Sequence, residues 1–383
     1  MIAFFDWNVG GQIYLVPANE NAERVGEKIA IDYPKETGGL YRLTGWTPDN
    51  KIGAIFSSPA EGGLYVFTFK TAKAVQVTRG GLQPHWSPDG RRIIYSAVAR
   101  QEKDGTGWSA YATAWVPAEG GQATTIPIQA DTEIVKAGWG AGNNVSPDGK
   151  TIVFAGRKAG EGKGAMHIWT LPIEGGAPTQ LTNASAPLAD QYPCWSPDGK
   201  SIAFVRSRDS QDISKRFMEA DIFIIPAGGG EPRQLTSESD MVAFGSIAWS
   251  PDRKLLAYLS IDNEWSGKWD TIRVIPAEGG QSRALSRPQR GFEVNVELAW
   301  SPDSRRLAFN DYPGTDGGGI KIVSLDDGQV VDVDPGVPTT RLYHLDWSRD
   351  GEKLVFAGQQ GGVPEFWLIE NFPPAGTGTK ESK

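Results

Sequence analysis

The chain carries a single cysteine, Cys194, so no disulfide within it can staple the fold, and a core has to be built from apolar side chains alone. It has no apolar run near the roughly 18 residues of a membrane span. Its first residues, "MIAFFDWNVGGQIYLVPA", lack the basic start, apolar run and small-residue cleavage site of a signal peptide, so none is expected there. There is no basic run either: 38 Lys and Arg stand against 46 Asp and Glu, a formal charge of −8 that ill suits a phosphate backbone, and no nucleic-acid partner is expected. No segment longer than a turn shows capped helical periodicity.

Catalytic and metal signatures are scarce as well. The string nearest to a G-x-S-x-G nucleophile elbow is "GWSAY" at Gly107–Tyr111, where Tyr111 replaces the second glycine and a loop leads into a strand rather than a strand into a helix. The three histidines, His85, His167 and His344, form no pair at ligand spacing, and no EF-hand loop occurs. All three read as ordinary surface or satisfied residues, with His85 and His344 just before a first strand and His167 at the start of a third. No cofactor is expected, and a Ca²⁺ ion held by channel carboxylates is the one case left open.

What the sequence does have is glycine, 47 residues of it, with 26 prolines, and a repeated string. "WTPDN" at Trp46, "WSPDG" at Trp86, "VSPDG" at Val145, "WSPDG" at Trp195, "WSPDR" at Trp249, "WSPDS" at Trp300 and "WSRDG" at Trp347 recur 40 to 59 residues apart. An apolar run follows each string, and most copies continue with a second strand and a Gly-rich turn, as in "HIWTLPIEGGAPTQLT" from His167 and "DIFIIPAGGGEPRQLT" from Asp221. One unit therefore reads as four antiparallel strands, A to D, with period-2 alternation and Gly/Pro punctuation. Ser-Pro-Asp-Gly is the A–B turn: Pro pre-sets a corner, Asp bonds nearby amides and Gly takes a positive φ. Trp, at the end of strand A, wedges between sheets. Asn50, Arg253 and Ser304 in the glycine place are expected to weaken the turn modestly. Seven equivalent copies point to packing, since a ligand site has little use for seven.

Sheets of this size hide their edges by packing radially around a channel. The expected fold is all-β, a seven-bladed β-propeller of four-stranded antiparallel blades over residues 1–372, with 373–383 as a flexible tail. The last unit lacks strand D, so an N-terminal strand is expected to complete it. Because "IAFFDW", "QIYLVPA" and "EKIAID" look like strands B to D of a further blade, eight blades is the alternative.

The repeats, from about Ile2 to Phe372, resemble the TolB-like (WD40-like, PD40-type) propeller repeat, which also occurs in tricorn-type proteases and prolyl-oligopeptidase-type peptidases. That resemblance implies the fold and a periplasmic or secreted setting, and it is specific to no single function. The α/β domain that precedes the propeller in TolB has no matching pattern here.

Functional residues are sought where the repeats differ, in the longer B–C and D–A connections that share one rim. The candidates are Trp108, Trp139, Asp190, Tyr192, Arg206, Phe217, Trp265, Trp269, Tyr312, Arg341, Tyr343 and His344. Aromatic faces beside charged groups suit sugars or peptide segments. The favoured reading is a noncatalytic, monomeric binding or scaffold propeller whose rim engages a protein, peptide or glycan. The alternatives are a polysaccharide lyase or glycoside hydrolase using Tyr192, His344, Arg341 and Asp190 at the channel mouth, and a substrate-gating propeller separated from a peptidase partner.

Overall fold

A computed structural model describes residues 2–6, 12–16, 29–31, 39–46, 51–57, 63–68, 73–79, 82–101, 109–129, 134–136, 144–158, 161, 166–208, 220–236, 242–261, 270–288, 297–311, 319–333, 341–351, 353–360 and 363–370. Every regular element among them is a β-strand, and successive strands pair antiparallel. The first, second, fourth, fifth and sixth repeats each form a four-stranded meander, for instance Leu188–Trp195, Ser201–Arg208, Ala220–Pro226 and Arg233–Gln234 in the fourth. In the third, strand A comes in two pieces, Ile134–Lys136 and Asn144–Val145, both paired with Thr151–Lys158. Residues assigned from sequence to a connection are thus partly strand. The last repeat has three strands, Arg341–Trp347, Lys353–Gln360 and Val363–Glu370, and a separate three-stranded sheet spans Ile2–Ile31.

The apolar runs behave differently from simple alternation. In Thr151–Lys158 the residues Ile152, Val153, Phe154 and Ala155 are all fully buried, because the strand is covered on both faces. Period 2 then decides which neighbour a side chain meets. In the fourth repeat, Ile202 and Phe204 pack towards the third repeat with Ile168 and Met166, while Ala203 and Val205 pack towards the fifth with Leu256 and Tyr258. The fifth does the same, giving Ala257 and Leu259 to the sixth beside Leu307 and Phe309. Each sheet is therefore half of two cores, which forces a series in which every repeat needs the next. Innermost strands follow that series, and strand A of the last repeat lies against Gly39–Trp46 of the first.

The repeated string holds these sheets in register. Ser Oγ donates to Asp Oδ1 two residues on, at 2.6 Å in Ser87–Asp89 and Ser146–Asp148 and 2.7 Å in Ser196–Asp198 and Ser250–Asp252. The same Oγ accepts the amide that opens strand B, as from Arg92, Thr151, Ser201, Leu255 and Arg306. Asp Oδ1 in turn accepts the amide of Arg91, Lys150, Lys200, Lys254 or Arg305. The serine bond holds the Asp89, Asp148 and Asp198 carboxyls below the usual carboxylate range.

In three repeats the tryptophan does more than wedge. Its indole N–H donates to a strand-A carbonyl of the preceding repeat: Trp195 to Asn144 at 3.2 Å, Trp300 to Ala248 at 3.0 Å and Trp347 to Ala299 at 3.0 Å. The departures from glycine also reach across repeats. Arg253 and Ser304 take φ of 69° and 60°, left-handed values that cost an L-residue about 1–2 kcal/mol. Arg253 Nη1 bonds Asp198 of the preceding repeat at 3.0 Å, and Ser304 Oγ accepts the amide of Asp252 at 2.9 Å. The turns are kept, and the strain is offset by a bond that glycine cannot make. Asn50 lies outside the described residues.

Trp300→Phe keeps a ring in place and deletes only the cross-repeat N–H. Chemical denaturation should show a loss of about 0.5–1.5 kcal/mol, against about 3–5 kcal/mol for Trp300→Ala. A Phe variant as stable as the parent would remove the indole bond from this account.

Candidate functional site

The repeats act as internal controls on one another. Where the fourth has Arg206, the others carry Ser57, Ala97, Gly156, Ser260, Asp311 and Gly358. Packing at this level is met by small residues in five of those six, and the fourth repeat alone of the seven has a cation there. Arg206 lies opposite Asp190 across the A–B ladder and opposite Asp221 across the B–C ladder. Its Nε donates to Asp190 Oδ1 at 2.6 Å and its Nη2 to Oδ2 at 2.9 Å. The guanidinium carbon sits 4.6 Å above the Phe223 ring centre and 5.6 Å from that of Phe204, and the two rings stack 5.8 Å apart. Asp190 has no exposed side-chain surface, whereas the Arg206 side chain keeps 19%. Such a carboxylate is tolerable away from water because both its oxygens are matched by a fixed fork.

The pair belongs to the end of the sheet where B–C and D–A connections leave, and it touches two repeats. The Asp190 amide donates to the Met166 carbonyl of the third repeat at 2.9 Å. Next to Met166 is His167, first residue of strand C and paired with Gly156. Sequence reasoning set His167 aside as an ordinary histidine. It is 6% exposed, and its buried Nδ1 has no hydrogen-bond partner among the described residues. Burial pushes its pKa below the usual 6.5, against the opposing pull of Glu161 and Asp190, while Lys158 and Arg206 add to the depression. One signal in the sequence could have found it: the matching residues of the next three repeats are Asp221, Thr271 and Gly319, so the position is not fixed by packing.

Asp190, Tyr192, Arg206 and Arg341 were expected in connections and instead lie on strands, because the A–B ladders run on towards the rim and satisfy backbone groups that a loop would leave to water, and Tyr343 and His344 lie on strand A of the last repeat. His85 is likewise within Leu82–Trp86. Tyr192 is not part of the Asp190 cluster. A register shift between Gln191 and Cys194 gives it a φ of 54°, and its ring packs into the core shared with the fifth repeat. Burial there raises its phenol pKa and leaves it protonated. In the same core, loss of water pushes the Cys194 thiol up to about 12, which makes it a poor nucleophile or metal ligand.

For Arg341, Tyr343 and His344 the strand is described and the side chains are not. Trp108, Trp139, Phe217, Trp265, Trp269 and Tyr312 lie outside the described residues. Ser109 opens the strand Ser109–Pro117, which is no helix-bound elbow. Among the described residues no group of three or more His, Cys, Asp or Glu is placed to hold a metal ion, and no helix is long and apolar enough to cross a membrane.

Arg206→Ala strands a buried carboxylate and should cost about 3–5 kcal/mol in chemical denaturation, with much of that recovered in the Arg206→Ala/Asp190→Ala double variant; equal losses in both would deny the coupling. For His167 the unfolded chain binds the proton first. Its contribution is full above pH 6.5 and is lost as pH falls from there towards the depressed folded value. Denaturation curves between pH 7.5 and 5.5 should therefore fall less steeply with acid in His167→Gln, and parallel curves would contradict the assignment.

Known proteins share this architecture. The sequence profile of the dipeptidyl peptidase IV (DPP IV) N-terminal region matches residues 146–278. The uncharacterized peptidase YuxL of Bacillus subtilis is 26% identical over 205 residues, 46% of this chain and 28% of YuxL. The uncharacterized protein Atu1656 of Agrobacterium fabrum is 24% identical over 224 residues, 58% of this chain and 66% of that protein. The chain thus spans less than a third of the first relative and about two thirds of the second. Among solved structures, an oligogalacturonate lyase from Vibrio parahaemolyticus superposes with a TM-score of 0.66 at 14% identity, covering 97% of this chain and 98% of its own. An oligogalacturonate lyase in complex with manganese gives 0.65 at 16%, covering 87% and 89%. Likenesses at this identity speak for the fold, and the fold is that of a β-propeller.

Proposed function

We propose that this chain is a noncatalytic binding propeller whose rim engages a protein, peptide or glycan. The observation that carries the reading is the Asp190–Arg206 pair. It is a fixed, partly open polar group at the rim end of two repeats, at a position where packing asks for nothing so large. In this reading the ring has seven blades, and Ile2–Asp6 serves the last one; its support is that Ile2–Asp6 runs beside Val363–Glu370.

A second reading, a propeller enzyme acting on polysaccharide, draws on the lyases that share the fold. Against its proposed residues, Asp190 is fully buried and committed to Arg206, and the Tyr192 ring packs on the other face of the sheet. Neither is poised for acid–base work.

A thermal-shift screen of the whole chain against peptides, neutral and acidic oligosaccharides, and Ca²⁺, Mn²⁺ or Zn²⁺ with an EDTA control tests the first reading. A ligand at about a hundred times its Kd adds about 2.7 kcal/mol, or a rise of about 2–4 °C. Incubation with oligogalacturonate tests the second, and accumulation of cleaved product would replace the binding reading with the enzymatic one. A screen without any shift would overturn binding to these small classes.

A further inference from the structure

Building on the binding reading, we propose that Arg206 is a receptor for a ligand carboxylate at the junction of the third and fourth repeats. The argument starts from the donor count. A guanidinium has five N–H groups in two forks. Asp190 occupies the fork made by Nε and Nη2. The other fork, Nη1 with the second hydrogen of Nη2, has no acceptor among the described residues, and it belongs to a side chain still 19% exposed. Its direction is set twice, by the buried carboxylate on one edge and by the Phe223 ring beneath. A donor pair held this way loses little rotamer freedom on binding, which makes it suited to a planar acceptor with two oxygens.

Charge selects the class. Asp190 already balances Arg206, and Asp221, opposite Arg206 on strand C and held by the neutral Gln234 and Thr236, adds one negative charge beside the pair. Each further negative charge on a ligand is therefore opposed, which favours a monoanionic carboxylate over a phosphate dianion. The overall charge of −8 opposes an acidic ligand only weakly, since charges beyond about 8 Å are largely screened at physiological salt. The ion pair of the sixth repeat shows what a closed arrangement looks like. There Lys321 Nζ is shared between Asp311 at 3.1 Å and Asp332 at 3.3 Å, so its cation is met twice within the sheet. Arg206 is met once.

Two sources carry the group, a peptide carboxyl terminus and a uronic acid, and matched pairs separate them. Calorimetry with the full chain would compare an N-acetylated tripeptide acid with its amide, and methyl glucuronide with methyl glucoside. One acid should bind about 10–100-fold more tightly than its neutral partner, the worth of a charge-assisted fork. Arg206→Lys keeps the charge, loses the fork and should bind that acid more weakly by a similar factor, with its thermal midpoint recorded alongside. Acid and neutral partner binding alike would overturn the proposal on the parent chain alone, and so would an unaltered affinity in Arg206→Lys. If neither acid binds while the wider screen yields a ligand, the carboxylate fork is wrong and the binding reading stands. If nothing binds in either experiment, the carboxylate fork falls together with binding of these small classes.

Discussion

The rest of this structure depends on apolar cores shared between each repeat and its neighbour, and in three repeats an indole bond crosses that boundary as well. A four-stranded sheet with apolar side chains on both faces cannot be stable alone, because burying one face exposes the other. The indole N–H of Trp195, Trp300 and Trp347 reaches back to a strand-A carbonyl of the preceding sheet, and a large ring accompanies it into the gap. The Ser–Asp turn immediately after the tryptophan fixes how strand B departs, and so fixes which face each following side chain presents. Register and packing are thus set by the same few residues. That coupling explains why the string recurs while its glycine is dispensable: Arg253 and Ser304 accept left-handed backbone and return a cross-repeat bond.

A scaffold so regular makes irregularity informative. The same level of the sheet holds Gly156, Ser260 and Gly358 in three repeats, and an arginine in the fourth. The arginine draws in a buried Asp190, a stacked pair of phenylalanines and, across the repeat boundary, a histidine whose Nδ1 is unmatched. Burying these groups opposes folding unless each is paired, and the pairing is complete for Asp190 and incomplete for Arg206 and His167. Unmatched buried polar groups of this kind oppose folding.

Much of the fold was legible in the residues, and the reasons are local. Pro, Asp and Gly each have a turn preference that needs no tertiary context, and "WSPDG" concentrates them between two apolar runs. Strand count and antiparallel order followed from that. The division of strand B between two cores was less visible: "IAFV" reads as a continuous apolar run, and only the neighbouring sheets show that Ala203 and Phe204 serve different interfaces. Asp190, Tyr192 and Arg206 could be picked as departures from the repeat, yet their assignment to loops missed that the ladders extend to include them.

By itself the sequence determined the repeat, its turns and the all-β architecture, since these rest on backbone preferences within a few residues. It also marked Arg206 as an exception. Only the tertiary structure decided what the exceptions do together. Asp190 and Arg206 meet because A and B strands pair in one register, and His167 joins them because the third repeat's strand C abuts the fourth repeat's strand A. Tyr192, two residues from Asp190, is sent to the opposite core by a one-place register shift. Those outcomes depend on contacts between segments distant along the chain, and no preference of a single residue encodes them.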